Sequence, residues 1–263
     1  MLAIQPASSC VTLSNLLQQL PTSESRHAIY FTPPETSVWC RFGCEWLGRD
    51  AITGAPAPRR RFAGLDDPLI DRITRAPSLY GFHATLKAPI RLAQGYTACD
   101  VRACAARTAV ALEPVVLTPL SLEIIDGFVA LTPAAGGPRM AAVEHLARQC
   151  VTAFDHMRAP ASTSELRRRE AAGLSPRQTA LLHQWGYPFV LDEFRFHLTL
   201  SGRLGAHEQA LVLHALAPVV RELNQEPLAL DALSICVQPR LDTPFVLSSR
   251  HGFGGGPRRS GHE

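Results

Sequence analysis

The sequence predicts an α+β fold made of two duplicated lobes, and three observations support this prediction. The pentapeptide Phe-His-x-Thr-Leu occurs twice, at 82–86 and 196–200, an offset of 114 residues. A second pattern, Glu-Pro-x-x-Leu-x-x-Leu-Ser, spans 113–121 and 226–234, an offset of 113 residues. Each pentapeptide is followed by the same order of predicted elements, a helix and then two strands. Two different patterns with nearly the same offset indicate an internal duplication about a pseudo-twofold axis.

The hydrophobic periodicity assigns the same four elements to both lobes, which cover about 80–132 and about 194–249. In each lobe a strand carries the histidine, an amphipathic helix follows, and two more strands complete the unit. The predicted ranges are, for the first lobe, 80–91, 97–112, 114–124 and 127–132, and for the second lobe, 194–202, 206–222, 227–238 and 244–249.

Segments outside the lobes complete one predicted bilobal domain over 26–250. Arg26–Thr32 reads as an additional strand that Pro33-Pro34 terminates, because proline cannot donate to a strand ladder. The remaining predicted elements are helices at 35–48 and, in an insertion at about 139–186, at 139–155, 163–172 and 176–185. An N-terminal extension (1–25) and a glycine-arginine tail (251–263) have no period, and we predict that both are disordered.

Composition excludes several classes of protein. The 263 residues are 46% hydrophobic and 19% charged, and no apolar run reaches the roughly 20 residues that a membrane span needs. The N-terminus also lacks a secretory signal, so we expect a cytoplasmic protein without membrane contact. A net charge of +3 is too small to indicate a nucleic-acid surface. The seven cysteines are expected to be reduced, and Cys40 and Cys44 lack a second pair that would complete a zinc site.

The repeated motif places chemically active side chains on one face of each strand. Side chains alternate along a strand, so every second residue of the motif faces the same way. These residues are His83, Thr85 and Lys87 in the first copy, and Arg195, His197, Thr199 and Ser201 in the second. The intervening Phe82, Leu86, Phe196 and Leu200 are expected to pack into the core.

Two histidines and two threonines around one cavity would suit transfer at phosphorus. One neutral imidazole can take a proton from the attacking oxygen, while the other, protonated, gives a proton to the leaving group. The threonine hydroxyls, Lys87 and Arg195 can stabilise phosphoryl oxygens. Lys87 is the only lysine among 26 cationic residues, which suggests a specific role. We expect no metal and no other cofactor, because the sequence has no H-x-H or H-E-x-x-H motif and threonine is a poor zinc ligand. Phosphate-binding G-x-x-x-x-G-K-[ST], dinucleotide-binding and G-x-S-x-G motifs are also missing.

The two H-x-T motifs of a duplicated α+β chain resemble the 2H phosphoesterase superfamily, to which the LigT-like RNA 2',3'-cyclic phosphodiesterases belong. The resemblance extends over about 26–250 and is closest to the branch of phosphonate metabolism proteins associated with carbon-phosphorus lyase genes. The blocks that carry it are Ala28–Phe31, Trp46–Asp50, Tyr80–Lys87, Trp185–Pro188 and Phe194–Thr199. It implies a bilobal fold of mainly antiparallel sheets with outer helices and a V-shaped cleft. It also implies metal-independent cleavage of a phosphodiester or cyclic phosphate, with catalytic roles for His83, Thr85, His197 and Thr199.

These observations predict a phosphoesterase that acts on a small phosphorylated or phosphonylated metabolite, ribose-linked and derived from phosphonate breakdown. The expected substrate-binding residues are Lys87, Ser201, Arg195, Tyr30 and Tyr187. Other proteins of phosphonate breakdown are possible partners. Two alternatives remain open: an RNA 2',3'-cyclic phosphodiesterase, and a non-catalytic protein that binds a nucleotide or phosphonate in the same cleft.

Overall fold

The chain folds into antiparallel sheets covered by helices, which makes it an α+β protein. The computed structural model describes residues 25–171 and 173–254. Within them, the strands are β1 (Arg26–Phe31), β2 (Ala84–Ile90), β3 (Val115–Val116), β4 (Leu120–Ile125), β5 (Phe128–Pro133), β6 (Leu198–Arg203), β7 (Ala229–Leu230), β8 (Ala232–Gln238) and β9 (Val246–Gly252). The helices are α1 (Val38–Leu47), α2 (Asp67–Ser78), α3 (Ala98–Val110), α4 (Gly137–Asp155), α5 (Thr163–Glu170), α6 (Pro176–Trp185) and α7 (Ala206–Leu223), with one short 3₁₀ turn at Leu191–Glu193.

Each of the two larger sheets contains strands from both sequence repeats. The four-stranded sheet has the order β2-β1-β8-β9, so the first histidine strand joins a hairpin of the second repeat. The three-stranded sheet has the order β4-β5-β6, so the second histidine strand joins the hairpin of the first repeat. β2 and β6 both lie at the edge of their sheets, but β1 separates β2 from the β8–β9 hairpin, whereas β6 pairs directly with β5.

A short ribbon joins the two copies of the Glu-Pro-x-x-Leu-x-x-Leu-Ser pattern. β3 pairs with β7 so that Val115 lies opposite Leu230. The amide of Leu117 donates to the carbonyl of Leu228 at 2.7 Å. In the repeat numbering Val115 corresponds to Leu228 and Leu117 to Leu230, so these two contacts are images of each other.

Helices cover both sheets in a similar manner. α3 packs against β8 and β9, and α7 packs against β4 and β5. The histidine strands are covered by the other long helices, β2 by α4 and β6 by α2. The core between these layers contains Phe82, Leu86, Phe196 and Leu200, each at most 5% exposed, which confirms that the alternate residues of the motif point into apolar packing.

The sequence predicts most helices well and the strands less well. The three helical segments of the insertion are confirmed as α4, α5 and α6. α2 has no predicted counterpart, although Asp66 caps its first turn by accepting from the amide of Leu69. The predicted strand 114–124 is instead divided into β3 and β4, because Pro119 lies between them and has no amide to donate. Similarly, 227–238 is divided into β7 and β8.

Both motif histidines precede their strands instead of lying within them. The predicted strands begin at 80 and 194, whereas β2 begins at Ala84 and β6 at Leu198. Gly81 has a φ of 79°, a left-handed conformation that interrupts an extended strand. The histidine rings are therefore presented from the turns that enter the two edge strands.

The predictions for the two termini lie mostly outside the described residues. Residues 1–24 and 255–263 are not described, and the predicted disorder there stays a prediction. The start of the predicted tail is ordered, since β9 extends to Gly252. No helix in the described ranges is both long and apolar enough to cross a membrane.

Candidate active site

His83 is held in one tautomer by the backbone beside it. Its Nδ1 lies 2.9 Å from the carbonyl oxygen of Gly81. A carbonyl oxygen only accepts hydrogen bonds, so Nδ1 carries the proton and Nε2 of the neutral ring is the acceptor. The hydroxyl of Thr85 lies 3.2 Å from Nε2 and can donate to it. The first motif thus directs a basic nitrogen and a hydroxyl to the same point.

His197 repeats this arrangement in the second motif. Its Nδ1 lies 2.8 Å from the carbonyl oxygen of Arg195, again two residues earlier in the chain. The same argument places the proton on Nδ1 and leaves Nε2 for chemistry. Thr199 is half-buried two residues later and lies opposite Ala130 of β5.

Two tyrosines enclose the ring of His83. The ring centroid of Tyr30 lies 3.9 Å away, and Tyr80 is stacked at 6.0 Å. The resulting loss of water lowers the pKa of His83 to about 4, against the opposing effect of the Gly81 hydrogen bond. A charge on His197 lowers this pKa further, so the structure brings the two motifs within electrostatic reach of each other.

A cavity of about 280 Å³ is lined by Thr85 of the first motif and His197 of the second, whereas His83 and Thr199 are not among its lining residues. It opens between β2, the turn that joins β4 to β5, and the segment that follows α6. Its lining includes Thr85, Ala88, Ile125, Asp126, Phe128, Gln178, Tyr187, Phe189, Val190, Glu193, Phe194, Arg195 and His197. One wall is therefore apolar and aromatic, while the charged lining residues are Arg195, next to His197, and the carboxylates Asp126 and Glu193.

Arg195 and Tyr187 both line this cavity but differ in exposure. Arg195 is exposed, and its guanidinium makes no hydrogen bond or ion pair within the described part of the chain. Such a cation is free to receive an anionic group. Tyr187 is largely enclosed and packs edge-on against Phe189, and its burial raises the pKa of its hydroxyl. Gly186, with a φ of 74°, ends α6 and directs the chain into this wall.

The structure places Tyr30, Lys87 and Ser201 inside the fold. Tyr30 is 1% exposed and contacts the site through the face of His83. Lys87 donates to Asp155 at 3.0 Å and to the carbonyl of Val151 at 3.1 Å. Ser201 accepts from the amide of Val129 and donates to the carbonyl of Gly202.

A register shift accounts for the position of Lys87. β1 and β2 are irregularly paired next to Ile29, which lies opposite Lys87, while Tyr30 lies opposite Thr85. Strict alternation, which places His83, Thr85 and Lys87 on one face, fails across such a shift. Lys87 lines a second, smaller cavity with Arg91 and Arg158, which Tyr187 also borders.

Sequence reasoning did not identify Tyr80, Phe128 and Phe189 as site residues. Tyr80 stands next to the motif, and its position between a helix and Gly81 is the signal that could have identified it. Phe128 and Phe189 come from segments far from the histidines in sequence, so only the tertiary structure places them in the cavity lining.

Comparisons with known proteins give a family and two curated relatives. The family model described as "Protein of unknown function (DUF1045)" matches residues 85–246. A protein named ribose 1,5-bisphosphate phosphokinase PhnN from Janthinobacterium sp. (strain Marseille) is 38% identical over 248 residues, or 90% of this chain and 53% of the relative. A protein of the same name from Laribacter hongkongensis (strain HLHK9) is 37% identical over 179 residues, or 68% of this chain and 40% of the relative. The chain thus spans about half the length, or less, of these relatives.

Proposed function

We propose that this chain, which belongs to the DUF1045 family of proteins of unknown function, is a metal-independent phosphoesterase of phosphonate metabolism. Its substrate is a phosphodiester, cyclic phosphate or phosphonate ester of a small, ribose-linked metabolite. The observation that carries this proposal is the equivalent presentation of two histidines. Each ring is fixed by the carbonyl two residues earlier and leaves Nε2 available for a proton transfer.

The architecture supports a duplicated 2H phosphoesterase fold. The symmetric contacts of the β3–β7 ribbon relate the two copies of its sequence pattern by a local twofold axis. Each histidine strand also lies in the sheet that contains the hairpin of the other repeat, β6 directly beside β5 and β2 separated from β8 by β1. The electrostatic effect of His197 on His83 supports a single site that contains both H-x-T motifs.

The different surroundings of the histidines suggest separate roles. His83 has a pKa of about 4, so it is neutral near pH 7 and serves as the general base. Its Nε2 accepts a proton from the attacking water, whose oxygen forms the new bond to phosphorus. His197, in its protonated form, donates a proton to the leaving alkoxide as the old P–O bond breaks. The imidazoles supply both proton transfers, so this mechanism requires no metal.

Neighbouring donors stabilise the charge on phosphorus. The hydroxyl of Thr85 occupies Nε2 of His83 in the free protein, and it can rotate to a phosphoryl oxygen when water replaces it. Thr199 is the corresponding hydroxyl in the second motif. Arg195 lines the cavity next to His197, and its unpaired guanidinium suits a non-bridging oxygen.

The phosphokinase name of the relatives applies to proteins that this chain matches over about half of their length. The sequence has no G-x-x-x-x-G-K-[ST] motif, and its single lysine pairs with Asp155. We therefore assign phosphoesterase chemistry to the matched part and phosphokinase chemistry to the remainder of the relatives. We propose a ribose phosphate as the feature shared by the substrates of the matched part and of the remainder.

A second candidate substrate, an RNA end with a 2',3'-cyclic phosphate, is favoured by the aromatic wall of the cavity. Phe189 is 41% exposed and packs edge-on with Tyr187. An exposed aromatic ring of this kind can stack on a base. The chemistry of the two histidines would be unchanged.

The proposal is tested by hydrolysis of a substrate panel in EDTA. The panel contains ribose cyclic phosphates, a ribose-linked phosphonate ester, nucleoside 2',3'-cyclic phosphates and a cyclic-ended oligonucleotide. Wild type is compared with the His83→Ala/His197→Ala double variant, and with His207→Ala, which removes an exposed histidine of α7, as a matched control.

Turnover that persists in EDTA and in His207→Ala, and is lost in the double variant, is the expected result. The preferred substrate then distinguishes the ribose-linked metabolite from RNA. Saturable binding without turnover, unchanged in the double variant, would indicate a binding protein instead. ATP-dependent phosphorylation of ribose 1,5-bisphosphate by this chain would overturn the assignment of chemistry to its two parts.

A further inference from the structure

Arg49 is a buried cation that the proposed chemistry does not use. It follows Gly48, the residue that caps the C-terminus of α1, and is 8% exposed. Its Nη1 donates to the carbonyl of Ser78 at 2.9 Å, and its Nη2 donates to the carbonyl of Phe245. Neither acceptor is a carboxylate, although an unpaired buried charge is costly. Retention of an arginine here indicates that the position of these carbonyls matters.

The two carbonyls belong to segments that meet beside His83. Ser78 ends α2, and residues 78–81 form the turn that enters β2. The amide of Phe245 donates to the carbonyl of Leu79 at 2.7 Å, so the segment before β9 is tied to the same turn. Arg49 connects the end of α2 to the segment before β9 through its two hydrogen bonds.

The turn supplies the two groups that orient His83. The carbonyl of Gly81 accepts the Nδ1 proton, and Tyr80 lies over the ring while it also stacks on Phe245 at 5.4 Å. The turn has little freedom to rearrange, because a Cβ on Gly81 would lie 2.5 Å from the Cβ of Ala51. A shift of the turn would therefore move both the acceptor and the cover of the ring.

We propose that Arg49 is a positioning residue, which fixes the tautomer and orientation of His83 through the carbonyls of Ser78 and Phe245. The effect of Arg49 on turnover rests on the proposed function, whereas its effect on the tautomer and orientation of His83 can be measured without a substrate. Arg49 does not contact the reacting atoms, and its effect passes entirely through the turn.

Arg59 provides a matched control. It also donates to a backbone carbonyl, that of Trp46, and to the hydroxyl of Thr74, and it pairs with Asp71 at 3.0 Å. It thus connects α1 to α2 in the same region but makes no contact with the turn before His83. Replacement of Arg59 should lower stability without changing His83.

The first measurement is ¹⁵N NMR of the histidine rings in wild type, Arg49→Gln and Arg59→Gln, with His83→Ala used for assignment. In wild type and Arg59→Gln, His83 is expected to show a protonated Nδ1 and a pKa of about 4. In Arg49→Gln, the ring should show mixed tautomers and a higher pKa. A His83 spectrum and titration identical to wild type in Arg49→Gln would overturn the proposal.

Kinetics on the substrate identified by the panel give the second measurement. Arg49→Gln should lower kcat by about 10- to 100-fold, with KM within about threefold, because a misplaced base affects the chemical step more than binding. Its acid limb in the pH–rate profile should also move upward, whereas that of Arg59→Gln should not. A change in melting temperature with unchanged kcat and pH profile would reduce Arg49 to a structural role.

A third variant, Arg49→Lys, tests the proposal if Arg49→Gln does not fold. Arg49→Lys keeps the charge, but its compact ammonium cannot bond both carbonyls in the manner of a guanidinium. The same NMR and pH effects are expected, smaller in size, and wild-type behaviour of His83 in Arg49→Lys would contradict the proposal. If no substrate is turned over, the proposed function fails while the NMR comparison still decides the role of Arg49.

Discussion

The two H-x-T motifs share the backbone contact that orients their histidines but place the rings in different surroundings. In both, Nδ1 bonds the carbonyl two residues earlier, and the ring precedes an edge strand. His83 is enclosed by Tyr30 and Tyr80, whereas His197 lies next to exposed Arg195 at the cavity. The duplication thus preserves the backbone contact that orients each ring. The tyrosines contributed by the rest of the chain bury the ring of His83, which favours its neutral form.

The fourth residues after the histidines extend this comparison. Lys87 and Ser201 occupy equivalent positions, and both are buried and bonded within the fold. One tethers β2 to α4 through an ion pair, and the other bonds an irregular part of the β5–β6 pairing. The motifs are therefore equivalent in the carbonyl contact of their histidines, whereas Lys87 and Ser201 make different contacts within the fold.

The largest expected effect tests whether both motifs are catalytic. His83→Ala and His197→Ala should each lower turnover by about 100-fold or more, the range for lost general acid–base catalysis. Circular dichroism and melting temperature check that the fold is intact. A wild-type rate in either variant would break the comparison, since only one motif would then act.

The second prediction concerns the residues inside the fold. Asp155→Asn should lower the free energy of unfolding by about 2–4 kcal/mol, because it leaves the ammonium of Lys87, 4% exposed, without its carboxylate. Ser201→Ala should cost only about 1 kcal/mol, since it removes neutral hydrogen bonds. Urea unfolding measures both. If Asp155→Asn instead kept wild-type stability and raised KM, Lys87 would return to the substrate-binding residues.

A third prediction separates the base from the acid. A 4-nitrophenyl phosphodiester releases a stable anion and needs little help from an acid. On it, the deficit of His197→Ala should shrink by about 10- to 100-fold relative to an ester with an alkoxide leaving group, whereas that of His83→Ala should persist. The opposite pattern would exchange the roles of the two histidines.

The last prediction is a pH dependence of stability from His83 and His27. Burial lowers the pKa of each to about 4 from 6.5, and the charge of Arg102 contributes at His27. Between these values the unfolded chain binds more protons, so stability is complete above about pH 6.5 and declines toward pH 4. Each residue should contribute about 1.4 kcal/mol per pH unit in this window.

Urea unfolding at pH 7, 6 and 5 measures this dependence. His27→Gln and His83→Gln should each flatten it, and the double variant should flatten it further. An unchanged slope in His83→Gln would mean that the tyrosines do not keep the ring neutral, which would remove the main difference between the motifs.

Local patterns predicted the elements and the two histidine–threonine pairs, while long-range contacts escaped prediction. The insertion helices have clear periodicity, and they were correct. The pairing of β1 with β8, and of β6 with β5, joins segments more than 60 residues apart and leaves no periodic signal. For the same reason Arg49 and Phe189 were not recognised as site residues, whereas Tyr80 stands next to the first motif and could have been identified locally.

Lys87 illustrates the limit of strand alternation. Its face was inferred from a regular period of two, but the irregular pairing of β1 with β2 next to Ile29 disturbs that period. A sequence pattern contains no information about such a shift, because it depends on the partner strand. The ion pair with Asp155 could only be identified once α4 was seen against β2.

The pairing of β1 with β8, a strand of the second repeat, also has a consequence for synthesis on the ribosome. β1 ends at Phe31, but its partner β8 begins at Ala232, about 200 residues later. At 5–20 residues per second, β1 waits about 10–40 s for that partner. During this interval the apolar face of β1, including Ile29 and Phe31, lacks its final neighbours. The nascent chain therefore passes through a long period of exposure in which chaperone binding would be most useful.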